Sequence, residues 1–183
     1  FQLGEAVAII GQNGAGKTTT VKLMNGLLRP TQGRVLIDGQ ETKGLTTAQL
    51  AKRVGYIFQN PDDQLFQDSI EKEIAFGPKK HKLAAEIVQT RVHEAAEACG
   101  LQDVLQEHPY NLPYSKRKFI TIAAVMAMDP EVVILDEPTA GQDRESTELL
   151  GKLIRLLTEK KKTVITINHD MAFVTKEFQR VLC

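Results

Sequence analysis

The sequence predicts an α/β fold, a mostly parallel sheet carrying an inserted helical segment. Two observations support this. Short β-rich runs alternate with helical stretches at both ends of the chain, the pattern of strand–helix–strand units. Between them, residues 60–125 lose that alternation and read as a polar loop followed by helices.

Taken in order, EAVAII (5–10) is a β-rich run, followed by a glycine loop and a helical stretch, KTTTVKLMNGLL. GRVLIDGQ (33–40) and VGYIFQ (54–59) read as further short strands. NPDDQLFQDS, beginning at Asn60, is a polar loop punctuated by proline. LAAEIVQTRVHEAAEACGL (83–101) sets Leu83, Ile87, Val88, Val92, Ala95, Ala96 and Cys99 on one helical face. A second helix is expected from Ser115 to Met128, then a strand VVILDE (132–137), a helix ESTELLGKLIRLL (145–157) and a strand TVITINHD (163–170). The terminal VLC reads as a strand without its successor, and the chain is expected to be an excerpt of a longer protein.

Bulk composition narrows the function. A chain of 183 residues holds one well-buried domain. The 23 basic residues balance 23 acidic ones, so no net field recruits nucleic acid or anionic lipid. Two cysteines, Cys99 and Cys183, make no disulfide framework and fit a reducing compartment. No charged-then-apolar leader opens the sequence. The longest nearly apolar stretch, FITIAAVMAM (119–128), is about half the ~20 residues a bilayer span needs. Any membrane role is therefore expected to run through a partner.

The chemistry begins at GQNGAGKT (11–18), which fits G-x-x-x-x-G-K-[ST] between a strand and a helix. Its glycines let successive N–H groups turn toward phosphate oxygens, and the helix adds its positive N-terminal end. Lys17 can reach the β- and γ-phosphates, and the Thr18 hydroxyl can ligate Mg²⁺. The plainer alternative is a glycine turn with a lysine at a helix start; Lys-Thr in this context disfavours it. A dinucleotide fingerprint would need a different glycine spacing and a downstream acid. The expected nucleotide-binding set is Gly11, Gln12, Asn13, Gly14, Ala15, Gly16, Lys17, Thr18 and Thr19.

VVILDE leaves Asp136 at the end of a buried strand, where Mg²⁺ would sit, with Glu137 next, suited to deprotonate an attacking water. Adjacent acids are often only a solvated strand end; the phosphate loop upstream favours the functional reading. His169 closes another apolar strand, whose end should lie beside that of Asp136 in a parallel sheet. His81, His93 and His108 are read as structural. Gln59 closes VGYIFQ and could contact both Mg²⁺ and the water. Thr18, Gln59 and Asp136 are thus the expected metal ligands, and Glu137, His169 and Gln59 the catalytic set.

These pieces together resemble the nucleotide-binding domain of ATP-binding-cassette transporters, a P-loop NTPase fold. GQNGAGKT, FQ at 58–59, ILDEPTAGQD at 134–143 and NHD at 168–170 occur in family order across nearly the whole chain. The resemblance implies ATP and Mg²⁺ as cofactors, Gln59 as the Q-loop residue, Gln142–Asp143 closing the D-loop, and His169 as the switch histidine. It divides the chain into a core (1–59 and 126–183) and a helical subdomain (60–125). More narrowly, NPDDQLFQDSIEKEIAFGP (60–78) with MDPEVVILDEPTAG (128–141) resembles the ATPase subunits of energy-coupling-factor importers, which take up cobalt, nickel and vitamins. That implies a second ABC ATPase, a transmembrane coupling subunit and a substrate-binding membrane protein as partners, at the cytoplasmic face of the membrane.

Two departures stand out. The aromatic residue that stacks on adenine in the family lies upstream of the ten residues before Gly11, so adenine preference comes from the resemblance alone. The family's LSGGQ falls on Leu112, Pro113, Tyr114, Ser115 and Lys116, and only the leucine survives. In the family this loop reaches across a head-to-tail dimer to the γ-phosphate. Pro113 has no N–H and Tyr114 replaces a glycine, while Lys116, Arg117 and Lys118 are expected to keep flexible positive charge there. The plainer alternative is a divergent helix entry with a solvated basic face. A soluble cassette ATPase acting on nucleic acid or the ribosome is the rival reading, disfavoured by zero net charge and the lack of a basic aromatic stripe. A nucleotide-binding subunit without turnover is a third, opposed by intact Glu137 and His169.

Overall fold

The computed structural model describes residues 1–12 and 14–183. Its elements in chain order are β1 (Ala6–Ile9), α1 (Lys17–Met24), β2 (Leu36–Ile37), β3 (Gln40–Glu41), α2 (Thr47–Leu50), β4 (Val54–Ile57), α3 (Ile70–Lys80), α4 (Ala85–Ala98), α5 (Tyr114–Met128), β5 (Val132–Asp136), α6 (Arg144–Glu159), β6 (Thr163–Ile167), α7 (Met171–Glu177) and β7 (Arg180–Leu182). Five strands form one sheet in the order β4-β5-β6-β1-β7, every adjacent pair parallel. The expected α/β architecture with a parallel sheet is therefore the observed one.

Strand periodicity explains how both faces are covered. Along β5, Val133 and Leu135 join Ala6, Ala8, Ile57 and Val164 in a cluster with α3, α4, α5 and α6. Ile134, between them, points the other way and packs with Ile9, Val21, Ile165 and Ile167 against α1. With helices on both faces the central strands β5 and β6 are almost wholly buried, which is why they read as unbroken apolar runs.

Several expectations are corrected. GRVLIDGQ is not one strand but a hairpin, because Asp38 and Gly39 both take positive φ (50° and 73°), as a primed two-residue turn requires. Ile87 is exposed, at 46%, although its helical neighbours Val88 and Val92 are buried. The apolar face of α4 is thus narrower than its spacing suggested. The loop NPDDQLFQDS ends where it reads, at Ser69, but the helix that follows is unexpected: α3 starts at Ile70 under a Ser69 cap that accepts from Lys72 N at 3.3 Å. Gly77 and Pro78 look like breakers, yet they sit inside α3, and Gly77 leaves room for the Met128 side chain. The 3₁₀ turn Pro61–Asp63 and the helix α7 were also not anticipated. Among the described residues no helix is long and apolar enough to cross a membrane.

Candidate functional site

The C-terminal ends of β4, β5, β6 and β1 lie side by side, because those strands are consecutive in the sheet and parallel. This brings four expected groups to one edge: Gln59 beyond β4, Asp136 and Glu137 at the end of β5, His169 beyond β6, and the phosphate loop beyond β1. In open parallel sheets that edge is where ligands bind.

The loop after β1 runs into α1 through Gly16, which holds a left-handed φ of 88° as the N-cap. Lys17 folds back over the loop and is almost fully buried. Its ammonium donates to Gly11 O at 2.8 Å and Gln12 O at 2.9 Å. Ala15 N donates to Gln12 O at 3.2 Å, closing a turn. Gly14, Ala15 and Thr19 are exposed and Thr18 is partly so, within the first turn of α1. Asn13 lies outside the described residues.

Asp136 ends β5, buried to 6% exposure, and accepts a 2.6 Å hydrogen bond from the Tyr56 hydroxyl of β4. Burial, and secondarily this bond and the carboxylate charge, hold the Tyr56 phenol well above its ordinary range, so it remains a donor. Glu137 follows with a left-handed φ of 46°, which turns its side chain out of the strand alternation. Its N–H bonds to Ile167 O of β6 at 2.9 Å. Its carboxylate accepts from Gln59 Nε2 at 2.8 Å and faces His169 Nε2 at 3.4 Å. Gln59, Glu137 and His169, from three strands, are therefore one cluster.

The loop that presents His169 is braced by its neighbours. Asn168 Oδ1 accepts from Thr139 Oγ1 and from Asp170 N, both at 2.9 Å. Asp170 in turn caps α7 by accepting from Phe173 N at 3.0 Å. Asp143 caps α6 through Ser146 N at 2.7 Å.

The run Lys116–Lys118 is where the sequence expectation fails. Lys118 is 1% exposed, and its ammonium donates to Phe58 O at 3.0 Å and to Gln59 O. Burial lowers that ammonium to about 8, opposed by the carboxylates of Asp136 and Glu137. Arg117 is engaged too: it pairs with Asp62 at 3.1 Å, donates to Leu112 O at 3.0 Å, and stacks over the Tyr110 ring at 4.8 Å. These two cations are internal struts rather than flexible surface charge. Tyr56 and Lys118 are the site residues that sequence reasoning missed. The signal for Lys118 was its helical spacing, since it shares a face with Ile122 and Val125 and so points inward.

The donors expected for a metal are the Thr18 hydroxyl, the Gln59 amide oxygen and one Asp136 carboxylate. These are hard oxygen ligands in small number, suited to Mg²⁺ that keeps water and phosphate oxygens in its shell. Among the described residues no group of three or more His, Cys, Asp or Glu could hold a metal ion. The residues present fit the ion.

Comparison with known proteins agrees with the geometry. A sequence profile described as ABC transporter matches residues 1–140. The energy-coupling factor transporter ATP-binding protein EcfA2 of Staphylococcus saprophyticus is 41% identical over 182 residues, covering 96% of this chain and 63% of that protein. The structure of cbiO1 from Clostridium perfringens, part of the ABC transporter complex cbiONQ, superposes with a TM-score of 0.90 at 33% identity, over 99% of this chain and 73% of that one. A dimeric ATP-binding cassette in a post-hydrolysis state, bound to ADP and Pi, superposes with a TM-score of 0.83 at 26% identity, over 94% of this chain and 78% of that one. The chain belongs to the ABC transporter family, as one of its ATP-binding ATPase domains.

Proposed function

We propose that the chain is the Mg²⁺-dependent ATPase subunit of an energy-coupling-factor type membrane importer, whose cargo is a metal ion or vitamin. The observation that carries the catalytic half is the Glu137 carboxylate, held between the Gln59 amide and the His169 imidazole at the strand edge beside the phosphate loop. Similarity to EcfA2 and to cbiO1 supports the importer half.

In this reading Gly11, Gln12, Asn13, Gly14, Ala15, Gly16, Lys17, Thr18 and Thr19 cradle the nucleotide. Lys17 exchanges its two loop carbonyls for phosphate oxygens. Thr18, Gln59 and Asp136 would hold Mg²⁺, which when bound would supply positive charge against the transferred phosphoryl group. Glu137 accepts a proton from the attacking water, His169 steadies that carboxylate and faces the γ-phosphate, and Gln59 orients the water. Residues 1–59 and 126–183 act as the ATPase core. Residues 60–125 act as a helical subdomain that passes movement to a transmembrane coupling subunit and a substrate-binding membrane protein. The chain then sits peripherally at the cytoplasmic face of the membrane.

The signature segment points to a heterodimer with a second ABC ATPase. The sequence keeps the phosphate loop, Asp136, Glu137 and His169 intact, but Pro113 offers no N–H and Tyr114 stands where close backbone approach is needed. Losing one preorganised donor costs about 10²–10³-fold in comparable sites, so a homodimer would carry the defect twice. The test compares ATP hydrolysis by the full-length chain alone and mixed with a second ATPase bearing an intact LSGGQ. Turnover only in the mixture is expected. Equal turnover by the chain alone would overturn the heterodimer, and no turnover in either would overturn the ATPase assignment.

A further inference from the structure

The parallel pairing of β4 with β5 ends at Ile57, opposite Leu135. Beyond it the chain must leave the sheet and turn, and the carbonyls of Phe58 and Gln59 lose their ladder. Backbone carbonyls that leave a ladder need other donors, from side chains or from water. Here both are served by one side chain, the ammonium of Lys118, reaching from the second turn of α5. A lysine is otherwise an expensive residue to bury, so its presence at 1% exposure calls for such partners.

The same turn is gripped elsewhere. Arg117 pairs with Asp62 at 3.1 Å, and the Tyr114 hydroxyl reaches Asn60 Oδ1 at 3.4 Å. Within the turn, Phe58 N donates to Gln64 Oε1 at 3.2 Å. Of these contacts only that of Lys118 falls on the backbone of Gln59 itself, whose side chain extends to Glu137 at 2.8 Å.

We propose that Lys118 is a positioning residue, whose buried ammonium holds the main chain at Phe58–Gln59 so that the Gln59 amide meets the Glu137 carboxylate. The proposal rests on the catalytic reading of Gln59 and Glu137 given above. Lys118 acts through Gln59, because its ammonium is engaged by the carbonyls of Phe58 and Gln59. The divergent entry to α5 thereby has a task inside its own chain, tying that helix to the strand edge where Glu137 lies.

The test uses the full-length chain with its partner ATPase and two readouts. Lys118→Met keeps much of the side chain's length and apolar stem but removes the donor. Hydrogen exchange of segment 58–65, measured without nucleotide, should quicken while protection of the β5 and β6 amides is kept. In the same variant kcat should fall by about 10²-fold, the scale of a misplaced catalytic group, while KM for ATP should change by well under tenfold, since of the substrate-binding contacts shared by ground and transition states only that of Gln59 to Mg²⁺ is disturbed. Lys118→Gln, which retains a shorter neutral donor, should fall between wild type and Met on both readouts, and it replaces Met if that variant does not fold. Unchanged exchange at 58–65, unchanged kcat, or a loss of protection spread through the whole sheet would each overturn the proposal. A wild-type chain that hydrolyses no ATP would refute the catalytic reading instead, and the nucleotide-free exchange would still decide whether Lys118 holds the turn.

Discussion

Replacing Tyr56 by phenylalanine removes a single oxygen, the one that donates to Asp136 at 2.6 Å. The ring stays, along with its edge contact to Phe58 at 5.1 Å between centroids, so the change isolates the hydrogen bond. Its acceptor is a carboxylate with 6% exposure, and water has little access to take the hydroxyl's place. Hydrogen bonds to charged groups contribute about 1.5–3 kcal/mol. At about 2–4 °C per kcal/mol for a domain of this size, Tm should drop by about 3–12 °C. In urea titrations the midpoint should move with the slope unchanged. A double-mutant cycle with Asp136→Asn sharpens the test, since the pair should couple by about 1 kcal/mol or more. If the two changes add within about 0.5 kcal/mol, or if Tyr56→Phe is as stable as wild type, then the hydroxyl is not what holds Asp136 in place.

Lys17→Ala should weaken nucleotide binding sharply while leaving the fold intact, because the ammonium's partners among the described residues are two loop carbonyls; unchanged affinity by calorimetric titration would remove the loop from the nucleotide site. Glu73→Gln should gain stability relative to wild type as pH rises from about 4 to about 7. Burial raises the Glu73 carboxyl above its ordinary value near 4.5, against two backbone bonds from Gln67 N and Phe66 N that oppose the shift. The stability contributed by the protonated acid is therefore complete below about 4.5 and is lost as pH climbs through the raised folded value. Paired urea titrations at both ends of that range check it, and a gap independent of pH would contradict it.

What could be read in the sequence is what depends on local pattern. The loop at 11–18 and the strand ending in Asp136 are contiguous motifs, each legible from its own few residues, and the sheet followed from strands alternating with helices. That His169 would lie near Glu137 needed only one further step, that parallel neighbours end at the same edge. The helix α3 was hidden because Gly77 and Pro78 carry breaker signals. Its tertiary setting overrides them: Ile70 N and Glu71 N bond to Glu107 O and Leu105 O, and Gly77 admits Met128. Lys118 was misread for a related reason. A cation in a KRK run reads as surface charge, and only the three-dimensional need of two carbonyls 59 and 60 residues away turns it inward. Tyr56 stayed hidden because its partner, Asp136, is 80 residues distant.

The central claim is that this chain hydrolyses ATP with Glu137 as the base, and Glu137→Gln tests it most directly. The amide keeps the shape and an acceptor for Gln59 Nε2, but it can no longer take a proton. Single-turnover hydrolysis, measured on the full-length chain with its partner at saturating Mg-ATP, should fall by about 10²–10⁴-fold, with nucleotide affinity retained and an ATP-bound dimer accumulating. A variant that hydrolyses ATP at the wild-type rate would contradict the account and place the base elsewhere, with His169 the next residue to test.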